Sequence, residues 1–430
     1  MKLIRTKGRG ARQTAELLAT LERRGGAALD TVLPAVRRIV ADVRKNGDRA
    51  LLRYAAKLDG AQLVKNASLE ALRVTPEEMQ AAWDSLDDAM CEALNIATEQ
   101  IAGFAERQLP QSWHGSPIEG LITGQLVRPL GSVGCYVPSG RHPLPSTLLM
   151  TAIPAQVAGV ERIVVVSPRP APETLAAAHM LGITEFYRLG GAHAVAALAY
   201  GTESLARVDK IVGPGNLYVT AAKRLVAFDC AIDMLAGPTE IVVTSEKGRA
   251  VDIASDLVAQ AEHDPEAEAI FITTREELAK EVIEEADRRA ASNAVAKESL
   301  DKNGLVILAE SVEEARSITN RIAPEHLTVD AASDSQWVVN AGSVFVGRWS
   351  AEPMGDYISG PNHTLPTGGT ARVRGGLSVN DFVKLITVQE YNAAAMKVLG
   401  PKAALLAEAE GLVGHAEAIR VRLGKGGKRG

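Results

Sequence analysis

An imidazole and a side-chain oxygen three residues apart on a helix project from one face, where they can supply two ligands to one metal ion. Gln260 and His263 stand in that relation in Leu257-Val258-Ala259-Gln260-Ala261-Glu262-His263, where the apolar-periodic segment Val251 to Ala261 closes. A solvated helix end would show the same spacing, so the reading depends on further ligands and on a reaction. Ala323-Pro324-Glu325-His326-Leu327 stands at the exit of another helix. Adjacent Glu and His can divide acid–base work, because their ordinary pKa values bracket the weakly acidic range. A terminal His that complements the helix dipole is the competing account. In the polar stretch Gly355 to His363, Asp356 can give a metal a carboxylate, and His363 can be a ligand or a hydrogen-bonding residue. Downstream, Glu410 and His415 flank a glycine break between two helical segments, and a solvated surface would equally explain them. His114, His142 and His179 have no such company and read as structural or exposed.

Glycine-rich turns form a second set. Gly134 to Gly140, Leu189-Gly190-Gly191-Ala192 and Gly213-Pro214-Gly215-Asn216 each follow an expected strand and open a helix. Glycine lets backbone N–H groups approach a ligand, and a helix N-terminus favours an anion there. None is a G-x-G-x-x-G, and each alone is also an ordinary βα turn. Three on one sheet edge suggest a nucleotide crevice.

The elements that must position these residues follow from periodicity. Residues 1–127 read as helical and irregular, with a capped start at Thr75-Pro76-Glu77-Glu78 and one helix running from there to about Gln108. Ser112 to Gly124 reads as loop, with strand pairing near Gly120 to Leu126. From Arg128 short aliphatic runs alternate with helical segments. Ile163-Val164-Val165-Val166 is the kind of run that a strand buried on both faces needs. The alternation restarts after Gly237-Pro238. It predicts an α/β fold with two Rossmann-like parallel-sheet halves, 128–238 and 239–380. A helical N-terminal region (1–127) is expected to pack on the second half, and 381–430 is expected to be a small helical C-terminal domain.

The bulk numbers restrict the function classes. The 430 residues suffice for two core-forming domains. Aromatic residues are 4% of the chain, so the core must be largely aliphatic. A net charge of −5 gives no reason to expect nucleic acid or an anionic membrane as partner. The basic run Lys425 to Arg429 reads as a frayed end. Cys91, Cys135 and Cys230 are odd in number and far apart, which excludes a thiolate zinc cluster and favours a reducing cytoplasm. No apolar signal core or membrane-length run is present, so the expectation is a soluble cytoplasmic protein.

The order and length of the motifs resemble one family, histidinol dehydrogenase. The resemblance runs from about Arg128 to Arg422. It is carried by Val133 to Pro138, Gly191 to Gly201, Lys210 to Asn216, Ile232 to Glu240, Gln260-Ala-Glu-His263, Pro324 to Leu327, Ala341 to Phe345 and Gly355 to Thr367. It implies a homodimeric enzyme that oxidises histidinol to histidine in two NAD-dependent steps through an enzyme-held aldehyde. It further implies zinc held by Gln260, His263, Asp356 and His415, which orients the substrate's amine and imidazole. His326 would take the alcohol proton, and Glu325 would activate the water that hydrates the aldehyde. Thr239, Gln260, His263, His326, Asp356, Glu410 and His415 would contact substrate. Tyr136, His193 and Asn216 occupy the NAD-contact positions. The C-terminal segment would cross to the partner, with Glu410 and His415 completing the partner's site.

The chain departs from the family pattern in places. The family usually has Gln at His193 and Ser at Thr239, Ser139 to Pro143 differs, and Leu225 to Ala231 is short. These changes fall near cofactor and substrate positions, whereas the zinc set and the Glu325-His326 pair are intact. A relative that oxidises another small polar alcohol, such as a dihydroxypropane sulfonate, therefore stands as the alternative. A catalytically silent nucleotide-binding protein is the third reading, against which the intact set argues.

Overall fold

A computed structural model describes residues 1–8, 11–22, 24, 29–62, 67–139 and 143–424. Positions 140–142, where the Ser139–Pro143 departure is centred and His142 falls, and the basic tail 425–430 lie outside the described residues. The strands, in chain order, are β1 (Lys2–Arg5), β2 (Trp113–Ile118), β3 (Leu121–Pro129) and β4 (Ser132–Tyr136). Then come β5 (Arg162–Val166), β6 (Glu185–Tyr187), β7 (Lys210–Val212) and β8 (Ala231–Ile232). The later ones are β9 (Glu240–Thr244), β10 (Glu268–Thr273), β11 (Leu305–Leu308), β12 (His326–Val329), β13 (Ser343–Val346) and β14 (Val383–Tyr391).

The chain divides into two compact units. The first comprises Met1–Gln108 and Leu130–Phe382, and the second comprises Leu109–Pro129 and the chain from Val383. The first unit holds two parallel sheets. One runs β6-β5-β4-β7-β8, and the other β1-β11-β10-β9-β12-β13. In each, the first strand of the half sits centrally, two strands follow to one side, and the chain then reverses to the other side. The expected pair of Rossmann-like halves is thus present as one topology used twice, with β1 added beside β11. Val164, Val165 and Val166 are fully buried, as a strand covered by helices on both faces requires.

Thr75 caps the helix Pro76–Asp84 through a capping box with Glu78. The single helix expected to follow is broken. A turn at Ser85 to Asp87 separates Pro76–Asp84 from Asp88–Gln108. Most helices of residues 1–127 pack on the first half and not, as expected, on the second: the apolar face of Leu29–Tyr54 joins the core beside Gly191–Tyr200 and Leu217–Val226, Pro76–Asp84 lies against Pro172–Met180, and Asp88–Gln108 against Pro145–Ala158. The helix Ala11–Glu22 lies against Val312–Ile322 of the second half.

The second unit is an antiparallel sheet, β14-β3-β2, with helices Ala393–Ala409 and Val413–Arg422. The stretch 381–423, expected to be helical, therefore opens on a nine-residue strand. Val383-Lys-Leu-Ile-Thr-Val388 is rich in β-branched residues, and it pairs with β3 residue for residue from Val383↔Pro129 to Tyr391↔Leu121. β3 and β2 occupy most of the expected Ser112–Gly124 loop, with a bulge between Gly115 and Ile118. No helix of the described residues is long and apolar enough to cross a membrane.

Candidate active site

The acid–base pair is presented at the amino edge of the second sheet. Helix Val312–Ile322 ends at Ala323, the one non-glycine with positive φ (53°) among the described residues. This turn releases Pro324 and Glu325, and His326 then starts β12 opposite Ile241 of β9 and Ser343 of β13. Such backbone strain is held only where the surroundings over-determine it. Both residues are buried, Glu325 being 6% and His326 4% exposed.

The hydrogen bonds define their state. His326 Nδ1 lies 3.1 Å from the Glu240 carbonyl oxygen, which can only accept, so Nδ1 carries the proton and Nε2 the lone pair. Burial pushes this imidazole down to about 4, so the ring is a neutral base at neutral pH. Glu325 Oε2 accepts from the Thr239 hydroxyl at 2.6 Å and from the Glu240 N–H at 2.8 Å. Burial outweighs those two bonds and pushes the Glu325 carboxyl up to about 8.

Helix Ala250–Ala261 brings Gln260 to the same edge, and His263 follows just past its end. Gln260 Nε2 donates to Thr239 Oγ1, so one hydroxyl links Gln260 to Glu325. Gln260 Oε1 is buried and has no partner. Asp356 comes from the short helix Pro353–Tyr357. Its Oδ2 lies 3.8 Å from His263 Nε2, and its Oδ1 lies 3.9 Å from His326 Nε2. Two donors on one zinc ion lie at most about 4 Å apart, twice a zinc–ligand distance, so His263 and Asp356 fit a common ion. The orphaned Gln260 oxygen adds a third donor of the required type, and the residues present thus fit a zinc ion. His363 Nδ1 donates to the Asp356 carbonyl oxygen at 2.9 Å, which makes His363 a support for the Asp356 turn.

A cavity of about 400 Å³ opens on this edge, lined among others by His326, Phe345, Trp349, Asp356 and His363. Of the other expected residues, Glu410 caps the C-terminus of Ala393–Ala409 and His415 lies on Val413–Arg422. Both belong to the second unit and are exposed.

Sequence reasoning missed Glu352. Its side chain is 1% exposed, and Oε1 lies 3.2 Å from His326 Nε2 without hydrogen-bond alignment. Burial, followed by the charges of Asp356, Asp256 and Glu325, pushes its carboxyl well above the usual range. The available signal was its place four residues before Asp356, one helical turn away.

The expected cofactor residues gather at the carboxyl edge of the first sheet, where the strand order reverses between β4 and β7. Ligands of open α/β sheets bind at such a point. Tyr136 ends β4, and its hydroxyl accepts the Gly191 N–H at 3.0 Å. Gly213 follows β7 with φ +110°, and a Cβ there would overlap the Tyr136 carbonyl oxygen. Asn216 caps helix Leu217–Val226, its Oδ1 accepting from Tyr218 and Val219 N–H, which leaves its amide nitrogen free of that role. His193 is fully buried, and its Nε2 pairs with Asp59 Oδ2 at 2.8 Å while Tyr54 stacks on the ring.

The family model described as histidinol dehydrogenase matches residues 22–423. A histidinol dehydrogenase of Geobacillus kaustophilus is 47% identical over 91% of this chain and 94% of its own length. One of Methanopyrus kandleri is 45% identical over 96% of this chain and 98% of its own. The crystal structure of histidinol dehydrogenase from Elizabethkingia anophelis covers 99% of this chain and 98% of its own, with TM-score 0.91 and 33% identity.

Proposed function

The chain belongs to the histidinol dehydrogenase family of oxidoreductases, and from that membership we propose that it performs the NAD-dependent, zinc-dependent four-electron oxidation of L-histidinol to L-histidine. The observation that supports this most is the convergence of Glu325-His326, Gln260-Thr239, His263 and Asp356 from separate segments on one sheet edge.

In the first step His326 Nε2, the nitrogen that carries the lone pair, takes the hydroxyl proton, and NAD, when bound, would accept the hydride of the carbinol C–H bond. Water then adds to the resulting aldehyde, and Glu325 takes a proton from that water. A second NAD would accept the hydride of the hydrate. The balance is one histidinol, two NAD⁺ and one water giving histidine, two NADH and three protons. Gln260, His263, Asp356 and His415 would hold the zinc ion. When bound, this ion fixes the substrate's amine and imidazole and favours the ionised form of nearby carboxyls. Thr239 and Glu410 are proposed as further substrate contacts. Tyr136, His193 and Asn216 are proposed to bind NAD in the first half, and a cytoplasmic setting suits both cofactors.

We also propose a homodimer in which Glu410 and His415 complete the partner's site. Support comes from the second unit's surface. Leu385, Ile386, Val388 and Tyr391 on β14 are exposed, as are Leu405 and Leu406 on the following helix. Exposed apolar side chains grouped in this way support an interface there.

The test is purified enzyme with zinc, NAD and L-histidinol, measuring NADH formed per histidinol consumed. Two NADH per histidinol is expected. Turnover only with another small polar alcohol would move the substrate assignment to the related dehydrogenases, and no NADH from any alcohol would overturn the reading.

A further inference from the structure

The ligand set Gln260, His263, Asp356 and His415 carries one negative charge against the two positive charges of the ion. A second carboxylate stands beside it without a partner. Glu352 is the N-cap of helix Pro353–Tyr357, four residues before Asp356, so the two carboxylates leave the same face of one turn. Both Glu352 oxygens are buried and make no hydrogen bond. Among the described residues no lysine or arginine pairs with it, and the one group within ion-pair distance is His326 Nε2 at 3.2 Å. One donor atom from each of His326, Glu352 and Asp356 lies within 4.8 Å of the others.

A buried carboxylate with no partner is unfavourable for the folded chain unless a positive charge compensates it. We propose that Glu352 is an outer carboxylate of the metal centre, which leaves direct ligation to the four-residue set and supplies the second negative charge that retains the dication. This rests on the metal reading above. Its signature is a pair of opposed effects. Removing the charge loosens the ion but does not weaken the ion-free fold, because the carboxylate supports nothing else there.

The experiment measures the zinc dissociation constant of the full-length protein by competition with a chromophoric chelator, and the melting temperature of the ion-free forms, for wild type, Glu352→Gln and Glu352→Asp. Glu352→Gln is expected to weaken zinc about ten- to hundredfold, as outer-shell substitutions do, with ion-free melting unchanged or higher. Glu352→Asp restores most of the affinity. Zinc held by Glu352→Gln as tightly as by wild type overturns the proposal. If KM for histidinol alone then rises, the carboxylate is a substrate-ammonium contact instead. An ion-free Glu352→Gln that melts lower, or does not fold, also overturns it, because the carboxylate would then support the fold itself. Wild type that binds no zinc overturns the metal reading together with this inference, and that measurement precedes any variant.

Discussion

Thr239 contributes one oxygen to two partners, accepting from Gln260 and donating to Glu325. Valine would keep the shape and remove both bonds, leaving a buried amide donor and a carboxyl with only the Glu240 N–H. Thr239→Val should therefore lower stability by about 1–2 kcal/mol and loosen zinc, whereas Thr239→Ser should match wild type in both. Melting curves with and without chelator check this, and equal behaviour of the two variants would remove the hydroxyl from the site. A second prediction concerns a carboxyl outside the metal set. Arg24 bridges Glu240 and Glu268, yet burial, with the Glu240 charge, pushes Glu268 from 4.5 up to about 7. The folded state thus holds this proton more tightly than the unfolded chain does. The contribution is fully present below the unfolded value and is lost as pH rises through about 7, with a magnitude on the order of 2 kcal/mol after allowance for partial solvent screening. Glu268→Gln should flatten that part of the curve in urea titrations between about pH 5 and pH 8. A curve as steep as wild type's would place the proton elsewhere. Glu325, His326, Gln260, His263 and Asp356 were all legible as candidates, because their residue types and helix-end positions are local. Glu352 and Arg24 were not, because what distinguishes them is the lack or the choice of a tertiary partner.

Elements decide which edge each function uses. The glycine turns lie at the carboxyl edge of the first sheet, and the acid–base pair lies at the amino edge of the second. The first placement follows from βα turns opening helices, and the second from a helix C-terminus delivering Glu325-His326 into the start of β12. At the crevice, Gly213 has no room for a side chain beside the Tyr136 carbonyl, and its φ of +110° disfavours one. Gly213→Ala should weaken NAD binding at least about tenfold and cost about 1–3 kcal/mol of stability, while zinc is retained. Fluorescence titration with NADH and zinc content read the two effects separately, and full NADH affinity would exclude this turn from the crevice. Buried aliphatic runs made the parallel strands legible. β14 was missed because its neighbours on both sides favour helix and its partner β3 lies more than 250 residues earlier. The turn at Ser85 to Asp87 was hidden by a helical periodicity that continues across it.

At the scale of the molecule, the same strand order occurs twice, which no local pattern could reveal because pairing is set by long-range packing. The link between β8 and β9, Asp233 to Thr239, joins the carboxyl edge of one sheet to the amino edge of the other. A chain of that length spans at most about 28 Å, so the end of β8 and the start of β9 lie no farther apart than that. What this frame does not carry is the pair Glu410 and His415, which belong to the second unit. If they serve the partner's site, two inactive chains must rescue each other. Chains with His326→Ala lack the base, and chains with His415→Ala lack a ligand. A mixed dimer joins the intact body of the second to the intact C-terminal segment of the first and has one complete site. After unfolding and refolding as an equimolar mixture, activity should return to about one quarter of wild type, since half the dimers are mixed and each has one working site of two. Sites built within single subunits would give no recovery, because each variant would then be inactive in any company.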